Sequence, residues 1–224
     1  ARTVENGVPY ILISGGTQTQ TSVGFAIEES DPVGLGNITK IELFKGDEFI
    51  RAAVSGETRE FAGLLSNTEY TVKVTYVYNL LDGAGDKTEV KEIKIKTFSM
   101  AKPSVIFEST ESTKNSITFS YNAVDINNVG HVLRIELLKG GSVVKASENA
   151  DCTEFTDLLS NTRYTVRITY AYDLNDGSGV AYIEKTVDIT TYAIAVPEIS
   201  VSKPTKTQTS VGFSITEIDT DNVG

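Results

Sequence analysis

The sequence predicts an all-β chain of tandem seven-stranded Greek-key β-sandwiches, and three observations predict it. One segment occurs twice, as Leu64-Leu65-Ser66-Asn67-Thr68-Glu69-Tyr70-Thr71-Val72-Lys73-Val74-Thr75-Tyr76 and as Leu158-Leu159-Ser160-Asn161-Thr162-Arg163-Tyr164-Thr165-Val166-Arg167-Ile168-Thr169-Tyr170. Apolar residues alternate with polar ones at a period of two, as in a strand with one buried face, and no window shows a helical period. Turn residues recur at intervals of roughly eight to twelve residues, the rhythm of a small sandwich.

The repeat sets the domain plan. Ser22, Ser116 and Ser210 head matching segments, each 94 residues from the next, and Gly36, Gly130 and Gly224 keep the same spacing. A period that does not slip means tandem domains of that size. Pro9, Pro103 and Pro197 mark equivalent starts. Residues 8–101 and 102–195 are therefore read as two whole repeats, and 196–224 as the first two strands of a third. Arg2-Thr3-Val4 aligns with Lys96-Thr97-Phe98 and Thr190-Thr191-Tyr192, so residues 1–7 are read as the end of a preceding repeat. Two strands cannot bury a core, and the expectation is a natural polypeptide that continues in both directions.

Within the first repeat the elements follow in order. Residues 8–13 open it, with Pro9 suited to an edge because it donates no ladder hydrogen bond, and Gly15-Gly16 with the Thr/Gln-rich segment after it is read as the first turn. Residues 21–27 set Val23, Phe25 and Ile27 on one face; Ile117, Phe119 and Tyr121, then Val211, Phe213 and Ile215, repeat them. After a polar loop at 28–37, a strand at 38–45 carries Ile41 and Leu43, and Gly46-Asp47 turns it into a short strand around Phe49 and Ile50. A brief strand at 59–62 carries Phe61. The repeated segment then places Tyr70, Val72, Val74, Tyr76 and Tyr78 on one face and is expected to be the central strand. Asp82-Gly83 reads as a hairpin turn, and the last strand, 89–98, points Ile93 and Ile95 inward.

Leu64, Thr68 and Tyr70-x-Val72-x-Val74, repeated as Leu158, Thr162 and Tyr164-x-Val166-x-Ile168, resemble the sixth-strand signature of fibronectin type III domains. The resemblance spans nearly the whole chain. It implies a fibronectin type III or immunoglobulin-like sandwich, with Tyr70 and Tyr164 as corner tyrosines bonded to upstream backbone. Two features depart from the family pattern: Ile27, Tyr121 and Ile215 stand where a Trp is common, and Ser66-Asn67 and Ser160-Asn161 where a Pro is common. The turn Leu159-Ser160-Asn161-Thr162-x-Tyr164-Thr165-Val166, with Tyr172-Asp173-Leu174-Asn175-Asp176-Gly177 after it, is similar to modules in tail-tip and fibre proteins of phages infecting Gram-positive bacteria, and in bacterial surface proteins.

Composition narrows the function classes. Hydrophobic residues at 40% with 22% charged describe a globular chain. The net charge of −10 argues against nucleic acid, which needs a basic face. No apolar run approaches the roughly 18 to 20 residues of a membrane span. Cys152 is the sole cysteine, with Thr58 as its counterpart, so neither a disulfide framework nor a thiolate metal site is expected.

The acidic and histidine positions fit plain structural roles better than chemical ones. Asp173-Leu174-Asn175-Asp176-Gly177-Ser178-Gly179 resembles a calcium loop only loosely, because glycine is at its fifth position and strands flank it. In this fold Asp125, Asp173 and Asp176 share the pole that approaches the preceding repeat. Calcium bridging there is the alternative to a solvated acidic pole. His131 is the single histidine and lacks the recurring partners of a triad or zinc site. No glycine-rich phosphate loop or Arg-Gly-Asp tripeptide occurs. The expectation is no catalytic, cofactor-binding or metal-ligating residue, no cofactor and no enzymatic activity.

The linkers at 98–103 and 192–197 contain no Gly and hold Met100 and Ile194, which predicts restricted bending and roughly 30 to 40 Å of length per repeat. Two functions fit. The first is a non-catalytic spacer in a larger phage tail-tip or fibre protein, located in the virion tail and partnered by neighbouring repeats and other tail or surface proteins. The second is an extracellular adhesin or glycan-binding module on the bacterial surface, whose loops at 28–37 and 79–87 and their copies contact a host glycan or protein. The loops differ between copies while the strands repeat, which favours the spacer.

Overall fold

A strand with apolar side chains at alternate positions leaves water only if a second sheet covers that face. The computed structural model, which describes residues 7–53 and 56–222, has this arrangement twice. The chain divides into two compact units. One comprises Ala1–Lys102 with Asp125–Val129 and Tyr172–Ala181, and the other Pro103–Val124 with Gly130–Ala171 and Tyr182–Gly224. Apart from Gly7, the strand end expected at residues 1–7 lies outside the described residues, as does Gly224.

In the first unit the strands are β1 (Tyr10–Gln18), β2 (Ser22–Ser30), β3 (Gly36–Lys45), β4 (Glu48–Ala52), β5 (Glu60–Ala62), β6 (Glu69–Asn79) and β7 (Asp86–Lys96). They form a three-stranded sheet in the order β1-β2-β5 and a four-stranded sheet in the order β4-β3-β6-β7. The strand pairs in both sheets are antiparallel. The chain changes sheets between β2 and β3, β4 and β5, and β5 and β6, which is a Greek-key sandwich. As alternation requires, Val23 and Phe25 from one sheet meet Ile41, Leu43, Val72, Val74 and Tyr76 from the other in a single buried cluster. Each large side chain so buried contributes about 1.5 to 3 kcal/mol. β6 lies between β3 and β7, the central place its pattern predicted.

The second unit repeats the plan with β8 (Ser104–Ser112), β9 (Ile117–Val124), β10 (Gly130–Lys139), β11 (Ser142–Ser147), β12 (Glu154–Phe155), β13 (Arg163–Tyr172) and β14 (Ala181–Thr190). The sheets are β12-β9-β8 and β11-β10-β13-β14. Val105, Ile117, Ile135, Leu137, Val166 and Ile168 are fully buried. The molecule is all-β, a tandem of fibronectin type III-like sandwiches by strand order and register.

Two local expectations are corrected. Gly15-Gly16 is not part of the first turn, which the Thr/Gln-rich segment makes at 19–21: β1 runs on to Gln18, and the register with β2 shifts between Gly15 and Gln18. The glycines serve a bulge, because a Cβ on Gly24 would lie 2.7 Å from the Thr17 carbonyl oxygen and one on Gly16 2.9 Å from Gly24 and Phe25 backbone atoms. Asp82-Gly83 lies, as expected, in the hairpin that joins β6 to β7, within the loop between Asn79 and Asp86 where Leu81, Gly83 and Gly85 all have positive φ. In the third repeat, β15 (Glu198–Val201) pairs with β18 (Ile215–Ile218), and β16 (Thr205–Lys206) with β17 (Val211–Gly212). Two expected strands are thus four short ones. Ile199, Val211 and Phe213 are exposed, whereas their counterparts Val105, Ile117 and Phe119 are buried.

Candidate functional site

The repeated segment builds a corner. The Leu65 amide donates to the Tyr70 hydroxyl oxygen at 3.0 Å, and the Leu159 amide to that of Tyr164 at 3.1 Å, as the corner reading predicted. Asn67 and Asn161 take the left-handed backbone (φ 48° and 47°) that lets the chain turn there without glycine. The Thr68 hydroxyl donates to the Ser66 carbonyl at 2.7 Å, and Thr162 to Ser160 at 2.8 Å.

A partner that sequence reasoning missed locks each corner. Thr97, 2% exposed, donates to the Leu65 carbonyl at 2.7 Å and accepts the Thr68 amide at 3.0 Å. Thr191 does the same for Leu159 (2.6 Å) and Thr162 (3.0 Å). The only signal was the alignment of Lys96-Thr97-Phe98 with Thr190-Thr191-Tyr192, which marks a period and not a contact. The corner is thus a hydrogen-bond system in which the tyrosine and threonine side chains satisfy backbone groups of the turn.

The loop at 28–37 is organised by Asp31. Its Oδ2 accepts the Gly36 amide at 2.7 Å and the Tyr76 hydroxyl at 3.0 Å. The Leu35 amide above all, then those of Gly36 and Gly34 and the Tyr76 hydroxyl, hold the Asp31 carboxyl below the usual aspartate range. Burial first, then Glu29 and Asp31, push the Tyr76 hydroxyl well above its ordinary value, so it stays a donor. Gly36 has to be small, since a Cβ there would lie 2.6 Å from the Tyr76 ring and hydroxyl.

The acidic residues singled out from the sequence cap turns. Asp173 Oδ1 accepts the Asn175 amide at 2.7 Å, and Asp176 Oδ1 accepts the Ser178 amide at 2.9 Å and its hydroxyl at 2.5 Å. The hydroxyl and amide of Ser178 hold the Asp176 carboxyl low. Residues 125–129 and 172–181 fall in the first unit, whereas the 94-residue period assigns them to the second repeat. There Ser66 Oγ donates to the Leu174 carbonyl at 2.6 Å, the Ser66 amide to the Asn175 carbonyl at 2.7 Å, and Asn175 Nδ2 to the Leu64 carbonyl at 3.2 Å. Among the described residues, no group of three or more His, Cys, Asp or Glu could hold a metal ion.

His131 is exposed on β10, and Cys152 is half-buried with its Sγ 3.7 Å from the Glu154 carbonyl. The surface grooves are open. One of about 470 Å³ over Gly16, Thr17, Gly24 and Arg59 has Glu60 as its single carboxylate. Another of about 610 Å³ beside Lys139, Gly141, Arg163 and Thr165 has only Asp188. A smaller one of about 190 Å³ holds Glu69 and Glu92, which pair with Lys94 and Lys73. Among the described residues, no helix is long and apolar enough to cross a membrane.

The charged groups are arranged across strands. Glu136, 2% exposed, lies between two arginines: Arg134 Nε is 3.0 Å from Oε1, and Arg167 Nε and Nη2 are 2.8 and 2.7 Å from Oε2. In the first unit Lys94 pairs with Glu69 at 3.4 Å; in the second Arg163 pairs with Asp188 at 2.5 Å.

No protein-family model matches the chain, and no curated protein matches it. Among solved structures it is similar to fibronectin(III)-like modules of Clostridium thermocellum CbhA, at 14% identity and TM-score 0.29 over 81% of this chain and 94% of that one. It is also similar to a two-domain fibronectin type III segment of chicken tenascin, at 17% identity and TM-score 0.32 over 79% and 97% of the two chains. A third likeness is to the FN1–FN3 domains of chicken CNTN1, at 17% identity and TM-score 0.30 over 81% and 66%. The fold assignment rests on strand order, register and the two corners.

Proposed function

We propose that this chain is a non-catalytic spacer of tandem β-sandwiches within a larger phage tail-tip or fibre protein, holding a host-binding or enzymatic part away from the virion. One observation carries the proposal: the backbone contacts repeat, in the corners and in the loops alike, while the loop side chains do not. The hydrogen bonds of Tyr70 and Thr97 recur at Tyr164 and Thr191 within 0.1 Å. Asp31-Pro32-Val33-Gly34, by contrast, is answered by Asp125-Ile126-Asn127-Asn128, and Leu80-Leu81 by Leu174-Asn175. A ligand site used by every repeat would keep its contacts, whereas a spacer keeps its core. Independently folding units that add length supply the mechanism.

The second reading, a bacterial surface module that binds a host glycan or protein through its loops, is favoured by Leu81 and Ile126. These apolar loop side chains are 79% and 74% exposed. The two readings part in one experiment, in which antibodies against the protein are applied to virions and cells and the protein itself to Gram-positive walls and a glycan array. The spacer predicts labelled virion tails and no retention by walls or glycans. Labelled cell surfaces with saturable retention, lost on Leu81→Ser with Ile126→Ser, would replace it with the adhesin.

A further inference from the structure

The two repeats present nearly interchangeable inward faces. Tyr70, Val72, Val74 and Tyr76 of β6 answer to Tyr164, Val166, Ile168 and Tyr170 of β13, and Ile95 of β7 to Ile189 of β14. Covalent linkage keeps the copies at high effective concentration. Exchange of strands between neighbours is a characteristic failure of such chains. Neither the buried faces nor the repeated corner bonds oppose a pairing of β13 with β7, or of β6 with β14.

The outward face differs where the two strands begin and end. In the first repeat Glu69 lies opposite Lys96 in the register and pairs with Lys94. In the second, the equivalent position is Arg163, which pairs with Asp188, and Lys96 is answered by Thr190. Each repeat keeps a cross-strand ion pair, with the signs reversed. If β13 took the place of β6 beside β7, Arg163 would lie opposite Lys96 and diagonal to Lys94. If β6 lay beside β14, Glu69 would be diagonal to Asp188. Like charges so placed are destabilising. Arg167 would still meet Glu92, as Lys73 does in the native register, so discrimination falls on the Glu69/Arg163 position.

We propose that this reversal of polarity between adjacent repeats is a folding device that opposes strand exchange between them. It acts as negatively as a charged edge acts against aggregation, and it leaves each native pairing intact.

The test uses the full chain. A triple variant, Arg163→Glu, Asp188→Lys and Thr190→Lys, gives both repeats one polarity and keeps a native pair in each. A second variant adds Glu69→Arg, Lys94→Asp and Lys96→Thr, restoring opposite polarities in exchanged positions. Each protein is refolded from urea by dilution at about 10 mM salt, where screening extends about 30 Å, and again at 1 M salt, where it extends about 3 Å. The misfolded fraction is counted by double-jump unfolding, and strand-exchanged dimers by size-exclusion chromatography. The expected result is a several-fold rise in both for the triple variant at low salt, a return to the wild-type level for the six-residue variant, and little difference at high salt. A triple variant that refolds like wild type, or a six-residue variant that misfolds as much as the triple, would overturn the proposal. Unchanged thermal unfolding of the two folded variants separates the effect from lost native stability.

Discussion

The Tyr76 hydroxyl donates to Asp31 Oδ2 at 3.0 Å across 45 residues of chain, tying the loop between β2 and β3 to the central strand β6. The Tyr76 side chain is fully buried in the core, so one residue both packs the sandwich and fixes a loop that would otherwise be set by local turn preferences. Asp125 and Tyr170 repeat the two residue types 94 positions on.

Asp31 makes the first repeat acid-sensitive. Its carboxyl is held below the usual aspartate value of about 3.9 by amides and the Tyr76 hydroxyl. The folded state therefore favours the ionised form. The stability this adds is fully present above about pH 4 and is lost as pH falls through the folded value. Thermal unfolding followed from pH 7 to pH 2 should show a steep loss below about pH 4, and Asp31→Asn should make that loss shallower. An unchanged profile in the variant would remove Asp31 from the account. Tyr76→Phe, measured at pH 7, should cost about 1 kcal/mol.

The corners predict a second, paired effect. Tyr70→Phe and Tyr164→Phe each leave one part-buried amide, of Leu65 or Leu159, without its acceptor. Each should cost about 1 to 2 kcal/mol in urea unfolding. Thr191→Val should cost at least as much, because it strands both the Leu159 carbonyl and the Thr162 amide. If Thr191→Val were silent, the corner would be held by the tyrosine alone.

Glu136 predicts a contrast between the repeats. Its carboxylate is enclosed by Arg134 and Arg167, so Glu136→Ala would leave two guanidinium groups facing each other without their counterion. Removing one partner of a fully buried ion pair costs about 3 to 5 kcal/mol; the arginine side chains left here are 48% and 25% exposed, so water screens them and the expected cost is about 1 to 3 kcal/mol. The counterpart Glu42 is half-buried, and Lys73 turns instead to Glu92 and to the Phe44 ring, 4.9 Å from its centroid. Glu42→Ala should therefore cost under about 1 kcal/mol. Equal costs at the two positions would show that burial of Glu136 does not raise the stake.

What was legible in the sequence follows from which forces are periodic. Burial alternates, so Val72, Val74 and Tyr76 could be placed inward, and β6 made central, from spacing alone. Hydrogen bonds between distant side chains and backbone do not alternate, and so Thr97 was missed although it is as buried as the core. Glu136 illustrates the limit of period two. It lies between inward Ile135 and Leu137, a position that reads as solvent-facing, yet two arginines from its own and the neighbouring strand cover it. A glycine pair shows the opposite limit: Gly15-Gly16 carries a turn signature, but it is the backbone crossing at Gly24 that requires Gly16 to lack a side chain.

That crossing supplies the last prediction. The register of β1 and β2 shifts between Gly15 and Gln18, bringing the Thr17 carbonyl oxygen to within 2.7 Å of where a Cβ on Gly24 would sit. The obstacle is backbone and cannot swing aside as a flexible side chain would. Overpacking of this kind costs about 1 to 3 kcal/mol, so Gly24→Ala should lower stability by an amount in that range without any loss of buried apolar surface. The second repeat is the internal control. Thr118 stands at the equivalent position, already carries a Cβ, and is tolerated because the β8/β9 register shifts elsewhere, between Phe107 and Ser109. Thr118→Ala should therefore be close to neutral, and hydrogen exchange at the β1 and β2 amides should accelerate in the Gly24→Ala protein while β8 and β9 exchange as before. Acceleration in both sheets, or in neither, would mean that the bulge and not the glycine yields.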